Sequence, residues 1–402
     1  MLYIALLLAV VAVYFAERKI YEKHIFENLT YNVTVGSEEV FEGEDIYVFE
    51  EITNDKMVPM PYAKVDTTLP SGLAFRITEN DAARGTVRDS LREHIQSVFV
   101  LKSREKVRRR WRVNCKRRGV YSVGDATVVA NDIFGMNPAS QGFHVEPSRA
   151  NTVVVLPKAI NLEEHFTSTY YHSGDVIKNH SLLTDQLLRR GTREYTVYDP
   201  MNSINWKQTA AHGRLLVNES EYTQRHRFNI MINMNSRDIE KDSRYPASPD
   251  SVELCITVAA SILDRISQEN VPVRIISNTP PAYLGDGLAA ESEGIGRDIL
   301  FTGAYEGKRD MIEALRLLAA IKVEMSCPIE KLLDYVLLYH KTFAESGNLI
   351  FISSYISERM IIFHNEMQRC GVNVIFYVTT TNRNTANIPS DVEVYYKTHT
   401  ES

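Results

Sequence analysis

Between about Asn32 and Pro147 the chain alternates apolar and polar residues in short runs separated by glycine and proline, the two-residue period of half-buried strands. "EEVFEGEDIYVFEEITN" places a turn at Glu42–Asp45 between two such runs, and "MPYAKVDTTLPSGLAF" adds a strand that ends in a Pro-Ser-Gly turn. "SVFVLKSREKVRRRWRVNC" has the form of a hairpin, Ser97–Leu101 with Val107–Cys115, and "GVYSVGDATVVANDIFGM" supplies another strand pair. Short strands at this spacing predict an antiparallel β-sandwich over residues 32–147, with a helical insertion as an alternative for Thr78–His94. From Arg227 the pattern changes. Continuous apolar runs ("FNIMINM", "VPVRIIS", "NLIFISS", "VNVIFYVTT") alternate with amphipathic stretches such as "PDSVELCITVAASILDRISQEN" and "SERMIIFHNEMQRCG". Strands that are apolar on both faces, separated by helices, predict a doubly wound, mostly parallel sheet over 221–402. Residues 151–220 fall between as a connector, with the polar stretch 161–190 expected to be a mobile loop.

The first sixteen residues, MLYIALLLAVVAVYFA, lack any charged side chain. As a helix they would extend ~24 Å, slightly short of a ~30 Å hydrocarbon core. Arg18, Lys19 and Lys23 follow the run and nothing basic precedes it. That asymmetry predicts a single-pass anchor at 1–16 with the remainder facing the cytoplasm. A cleaved signal peptide would need a basic segment before the run and an Ala-x-Ala-like site after it, and neither is present. A buried helix is the remaining alternative.

Across 402 residues the net charge is −6, which argues against nucleic acid as the main partner. The four cysteines, Cys115, Cys255, Cys327 and Cys370, have neither zinc-knuckle nor disulfide-framework spacing and suit free thiols in a reducing compartment. One charge pattern departs from the overall balance. Arg104, Lys106, Arg108, Arg110 and Arg112, with Lys102, Lys116 and Arg118, all fall on even positions, while Val107, Trp111, Val113 and Cys115 take the other parity. An extended chain would present that basic strip to solvent, either as a charged guard against aggregation or as a surface for lipid headgroups or an acidic partner.

The densest motif is "YDPMNSINWKQTAAHGRL", residues 198–215. Asp199-Pro200 makes a turn, Ser203 can cap a short helix over Ile204–His212, and Gly213 can close it in the left-handed conformation. Trp206 with Ile204 and Ala210 then forms an apolar clamp, and Asn205 and Lys207 lie off that face. A partner-binding role suits the same residues. So does a hydrolase using Asp199, Asn205, Lys207 and His212, though no Walker A loop, dinucleotide turn or GxSxG elbow accompanies them.

The run "RRGTREYTVYDPMNSINWKQTAAHGRLLVNESE", residues 189–221, resembles the signature of the bacterial "domain of unknown function 58" family, with "KRRGVYSVGDATVVANDIFGM" as looser support. The resemblance implies a membrane-tethered, non-enzymatic scaffold or assembly protein: a β-sandwich followed by a domain similar to the von Willebrand factor type A fold. It implies a MoxR-type AAA+ ATPase as partner. No cofactor is expected. The motif residues it singles out are Arg193, Tyr198, Asp199, Asn205, Trp206 and Lys207. Type A domains often hold Mg²⁺ through Asp-x-Ser-x-Ser and a later Asp. The corresponding positions here are Asn233, Asn235 and Arg237, then Ser353-Ser354, a degenerate site from which no metal is expected. A metal-dependent adhesion-type binder is the alternative that Mg²⁺ binding would support.

Overall fold

The structure, a computed structural model, describes residues 3, 14–15, 18–19, 24–77, 90–131, 138–162, 184–195, 204–222, 227–238, 244–267, 271–280, 283–284, 288–289, 298–344, 347–379 and 392–396. They form two compact units. The first comprises residues 1–158, 282–290 and 315–322, and the second the rest.

The first unit contains β1 (Leu29–Val35), β2 (Glu39–Phe41), β3 (Asp45–Asn54), β4 (Met60–Thr68), β5 (Leu73–Ile77), β6 (Ser90–Arg92), β7 (His94–Leu101), β8 (Glu105–Cys115), β9 (Gly119–Ser122), β10 (Asp125–Ala130), β11 (Ala139–His144) and β12 (Thr152–Leu156). They build an antiparallel sheet ordered β1-β3-β8-β5-β6, a second ordered β11-β10-β4-β7, and a small third sheet in which β12 runs parallel to β2 and antiparallel to β9. The alternation is legible along β3, where Ile46, Val48 and Ile52 are buried beside exposed or half-buried neighbours. They join Val65, Leu73, Phe75, Phe99 and Val113 in one continuous core. Arg118 does not belong to the exposed strip. It is buried, and its guanidinium donates to the carbonyls of Leu318 and Ile321.

The second unit opens with the antiparallel pair β13 (Thr184–Glu194) and β14 (Leu216–Tyr222), between which lies helix α1 (Trp206–His212). Next come β15 (Arg227–Ile232), α2 (Pro249–Ser267) and β16 (Val273–Ser277). The short strands β17 (Tyr283–Leu284) and β18 (Leu288–Ala289), which belong to the first unit, pair with each other. β19 (Leu300–Phe301), α3 (Gly307–Ala320), α4 (Ile329–Leu338), α5 (His340–Ala344), β20 (Gly347–Ser353), α6 (Glu358–Arg369), β21 (Asn373–Val378) and β22 (Val394–Tyr396) complete the chain. The six-stranded sheet is ordered β19-β16-β15-β20-β21-β22, parallel throughout except for β19. Alternate residues Met231, Leu349, Phe351, Val374 and Phe376 pack with Leu332, Leu333 and Val336 of α4 and Met360 and Phe363 of α6.

This architecture corrects the expected fold class. Among the described residues no helix is long and apolar enough to cross a membrane, so a single-pass anchor is not supported; most of residues 1–16 lie outside the described set. Among the described residues the chain is mostly β, with several antiparallel sheets and few helices, and not a doubly wound sheet of the von Willebrand factor type A kind. Periodicity marks where strands lie, whereas their partners depend on contacts far apart in sequence. The supposed hairpin shows the difference: β7 and β8 are consecutive, yet β7 pairs with β4 while β8 pairs with β3 and β5. The expected loop at 161–190 likewise ends in strand, since β13 begins at Thr184; residues 163–183, and 78–89 of the suggested helical insertion, lie outside the described residues.

Candidate functional site

The helix of the densest motif starts two residues later than its apolar pattern suggests. Asn205, not Ser203, is the cap, and its side-chain oxygen accepts the Gln208 N–H at 3.1 Å. Gly213 closes the helix at φ 66°, a left-handed conformation that costs glycine little. Thr209 Oγ1 accepts the Leu216 N–H at 3.0 Å, and Ile204 forms a bridge to Val217, so α1 is tied to β14 by its cap, one hydroxyl and Ile204. Ile204, Leu216 and Val217 are buried. Trp206 is not: it is 65% exposed, and α1 buries no residue at all. This corrects the tryptophan clamp, because a side chain at the first position of a seven-residue helix lies on whichever face the cap leaves it, and here that face is solvent.

Lys207 and His212 are also exposed and sit about 140° apart around the helix axis, so they do not converge. Arg193 lies on β13 opposite Val217. Tyr198 and Asp199 lie outside the described residues. Because α1 is held without Trp206, replacing Trp206 by alanine should change stability by less than about 0.5 kcal/mol, read by denaturant unfolding. A loss of several kcal/mol would restore the clamp.

At the carboxyl ends of the parallel strands the degenerate metal positions do meet. Asn233 Nδ2 donates to Ser353 Oγ at 3.0 Å, and Asn233 Oδ1 accepts the Asn235 N–H at 2.9 Å. Asn278 Nδ2 donates to Asn235 Oδ1 at 2.7 Å and to the Cys327 carbonyl at 3.0 Å, while its oxygen accepts the Met234 N–H at 2.9 Å. Ser354 Oγ donates to the carbonyls of Asn235 and Ser236. All are buried, whereas Arg237 is exposed. Amides and hydroxyls here satisfy one another, and none carries the charge a hard cation requires. Among the described residues no group of three or more His, Cys, Asp or Glu could hold a metal.

The basic strip is built by two facing strands. Arg112 stands opposite Tyr47, Arg110 opposite Phe49, Arg108 opposite Glu51 and Lys106 opposite Thr53. Lys106 reaches Glu51 at 2.7 Å and Arg112 reaches Asp45 at 2.7 Å. The Arg108 guanidinium lies 4.2 Å above the Phe49 ring and that of Arg110 lies 4.7 Å above Tyr47. Arg104 is at the turn before β8, in the left-handed region at φ 53°.

Behind the strip is a carboxylate that sequence reasoning passed over. Glu50 is 1% exposed. It accepts from Thr67 Oγ1 at 2.7 Å, Tyr31 OH at 3.1 Å, Trp111 Nε1 at 3.2 Å and Ser97 Oγ at 3.4 Å, donors from four other strands. Burial, with the Glu50 charge added, pushes the Tyr31 hydroxyl well above the usual tyrosine range. The signal was available: in "DIYVFEEITN" Glu50 shares parity with Ile46, Val48 and Ile52.

The buried thiols are chemically quiet. Burial pushes Cys115 and Cys255 up to about 12 and Cys327 up to about 11. Iodoacetamide at pH 8 should therefore modify Cys370, which is exposed, and spare the other three until the chain unfolds. Mass spectrometry of the folded protein checks this, and rapid labelling of Cys115 or Cys255 would contradict it.

No family model and no curated protein matches the chain. Solved structures give weak, mutually unrelated similarities. Escherichia coli α-2-macroglobulin (MG7 to the C-terminus) is 12% identical, covering 32% of this chain and 23% of that one, with a TM-score of 0.23. The CARDB domain of a Pyrococcus furiosus protein in complex with di-metal ions is 15% identical over 32% of this chain and 91% of that chain, with a TM-score of 0.20. Spo0M, a sporulation control protein from Bacillus subtilis, is 9% identical over 42% of this chain and 58% of that one, with a TM-score of 0.18. None of these bears on fold or activity. The class the structure itself defines is a mostly β chain of two units, one of which contains a mixed six-stranded sheet.

Proposed function

We propose that the chain is a non-enzymatic scaffold that binds a protein partner through α1, with Trp206 as the anchoring side chain and Lys207 beside it. The observation that carries this is the exposure of Trp206 on a helix held in place without it. A tryptophan this exposed is a costly surface residue, and tryptophan is among the side chains most enriched at the energetic centres of interfaces. Leu215, 46% exposed, adds apolar area close by in sequence. The resemblance of residues 189–221 to the family described above favours a MoxR-type AAA+ ATPase as that partner. The hydrolase alternative has less support, because Lys207 and His212 point apart and His212 Nδ1 lies 3.1 Å from the Gln208 carbonyl of its own helix.

The test uses the full chain and a purified MoxR-type ATPase from the same genome, assayed with ATP, ADP and no nucleotide. Wild type should bind in at least one of these states. Trp206→Ala should weaken binding by about 2 kcal/mol or more while leaving thermal stability unchanged. Equal binding by the two proteins would remove α1 from the interface. Absence of binding in every nucleotide state would remove the ATPase.

A further inference from the structure

The outward face of β3 and β8 has a charge layout more specific than a row of cations. At its two ends the charges are already matched: Lys106 pairs with Glu51, and Asp45 takes both Arg112 at 2.7 Å and Arg76 at 3.3 Å. Between those ends lie Arg108 and Arg110. Among the described residues, the contact that steadies each of them is an aromatic ring, Phe49 and Tyr47 respectively. Both guanidiniums lean the same way, since each lies over a ring that is not its own cross-strand partner. Stacking takes one plane of a guanidinium and leaves its N–H edges able to donate to a carboxylate in two-point fashion. It also removes much of the rotamer freedom that an exposed arginine would lose on binding.

We propose that this face docks an extended acidic segment of a partner protein, with Arg108 and Arg110 each gripping one carboxylate. Two residues apart on one strand, their stems emerge about 6.8 Å from each other. Side chains two apart in an extended peptide have the same repeat, so a Glu-x-Glu or Asp-x-Glu stretch laid along β8 matches both arginines at once. The matched ends set the length of the site. A nucleic acid would need a longer run of unneutralised cations and open rings on which bases could stack. Here Asp45 and Glu51 lie beside the two ring-stacked arginines, and each ring already carries a guanidinium. This surface belongs to the first unit and does not depend on the role of α1.

The experiment is fluorescence anisotropy of a labelled peptide of alternating glutamate and threonine, titrated with the full chain at low and physiological salt. Saturable binding is expected, with an affinity that falls as salt rises. Arg108→Gln with Arg110→Gln should weaken it about tenfold or more, and Lys106→Gln, whose charge is already matched, should leave it within about twofold. Arg108→Lys with Arg110→Lys keeps the charge and guards against a folding defect. It should still weaken binding several-fold, because lysine lacks the planar fork. The proposal is overturned if the double glutamine variant binds like wild type, or if a glutamine–threonine peptide binds as tightly. It is equally overturned if oligothymidylate or phosphatidylserine vesicles bind more tightly than the acidic peptide with the same dependence on Arg108 and Arg110.

Discussion

Replacing Glu50 by alanine should destabilise the first unit by about 3 kcal/mol or more, one of the largest effects expected of any single change in the chain. The carboxylate is the shared acceptor for Tyr31, Thr67, Ser97 and Trp111, drawn from both large sheets of that unit. Removing it leaves several buried donors without a partner, and each such group costs about 1–3 kcal/mol, offset in part by no longer burying a charge. Glu50→Gln keeps the volume and one oxygen and should cost roughly half as much. Glu51→Ala next door, on the solvent side, should cost less than about 1 kcal/mol despite its ion pair with Lys106. Urea unfolding followed by the fluorescence of Trp111, in a Trp206→Phe background, reads the three directly. If Glu50→Ala and Glu51→Ala were equally mild, the interior carboxylate would not be holding the sheets together.

The second large effect is expected at Asn278. Its side chain makes three hydrogen bonds, to the Met234 N–H, Asn235 Oδ1 and the Cys327 carbonyl, and thereby joins three chain segments of the second unit. Asn278→Ala orphans all three partners and should cost about 3 kcal/mol. Asn278→Asp is the sharper probe. It retains the acceptor for Met234 but places a carboxyl against the oxygens of Asn235 and Cys327. Burial beside acceptors raises the pKa of that carboxyl above its unfolded value, so the folded form binds the proton more tightly. Stability of this variant should therefore be greatest in acid and fall as pH rises through the ordinary carboxylate range, opposite to the usual behaviour of a paired aspartate. Parallel pH titrations of Tm for wild type and variant test the sign, and matching pH profiles would contradict it.

These two groups also show what the sequence could and could not disclose. The runs ending at Ile232, Ser277, Ser353 and Val378 are strands, as their apolar character indicates, and the even-numbered cations of β8 do face solvent. Pattern alone locates such elements because burial acts residue by residue. It does not say that β7 and β8 separate into different sheets, nor that β19 turns antiparallel, because those outcomes are decided by partners far away in sequence. Glu50 is legible as a parity violation beside its neighbour Glu51. The exposure of Trp206 is not legible in the sequence, because a seven-residue helix offers too few turns for its apolar positions to define a buried side. The mutual pairing of Asn233, Asn235 and Asn278 could not be foreseen either, since Asn278 comes from a strand end that the expected ligand pattern does not include.

The pairing of β3 with β8 has a consequence for how the chain reaches its native state. Sliding β3 by a single residue would turn Tyr47, Phe49 and Glu51 into the apolar interior and expel Ile46, Val48 and Ile52 to water. That misfolded species would lose most of the core contacts of its strand while burying a charge with no donors in place. It should therefore be too short-lived to trap the chain, and refolding of this unit should proceed without a slow phase from strand slippage.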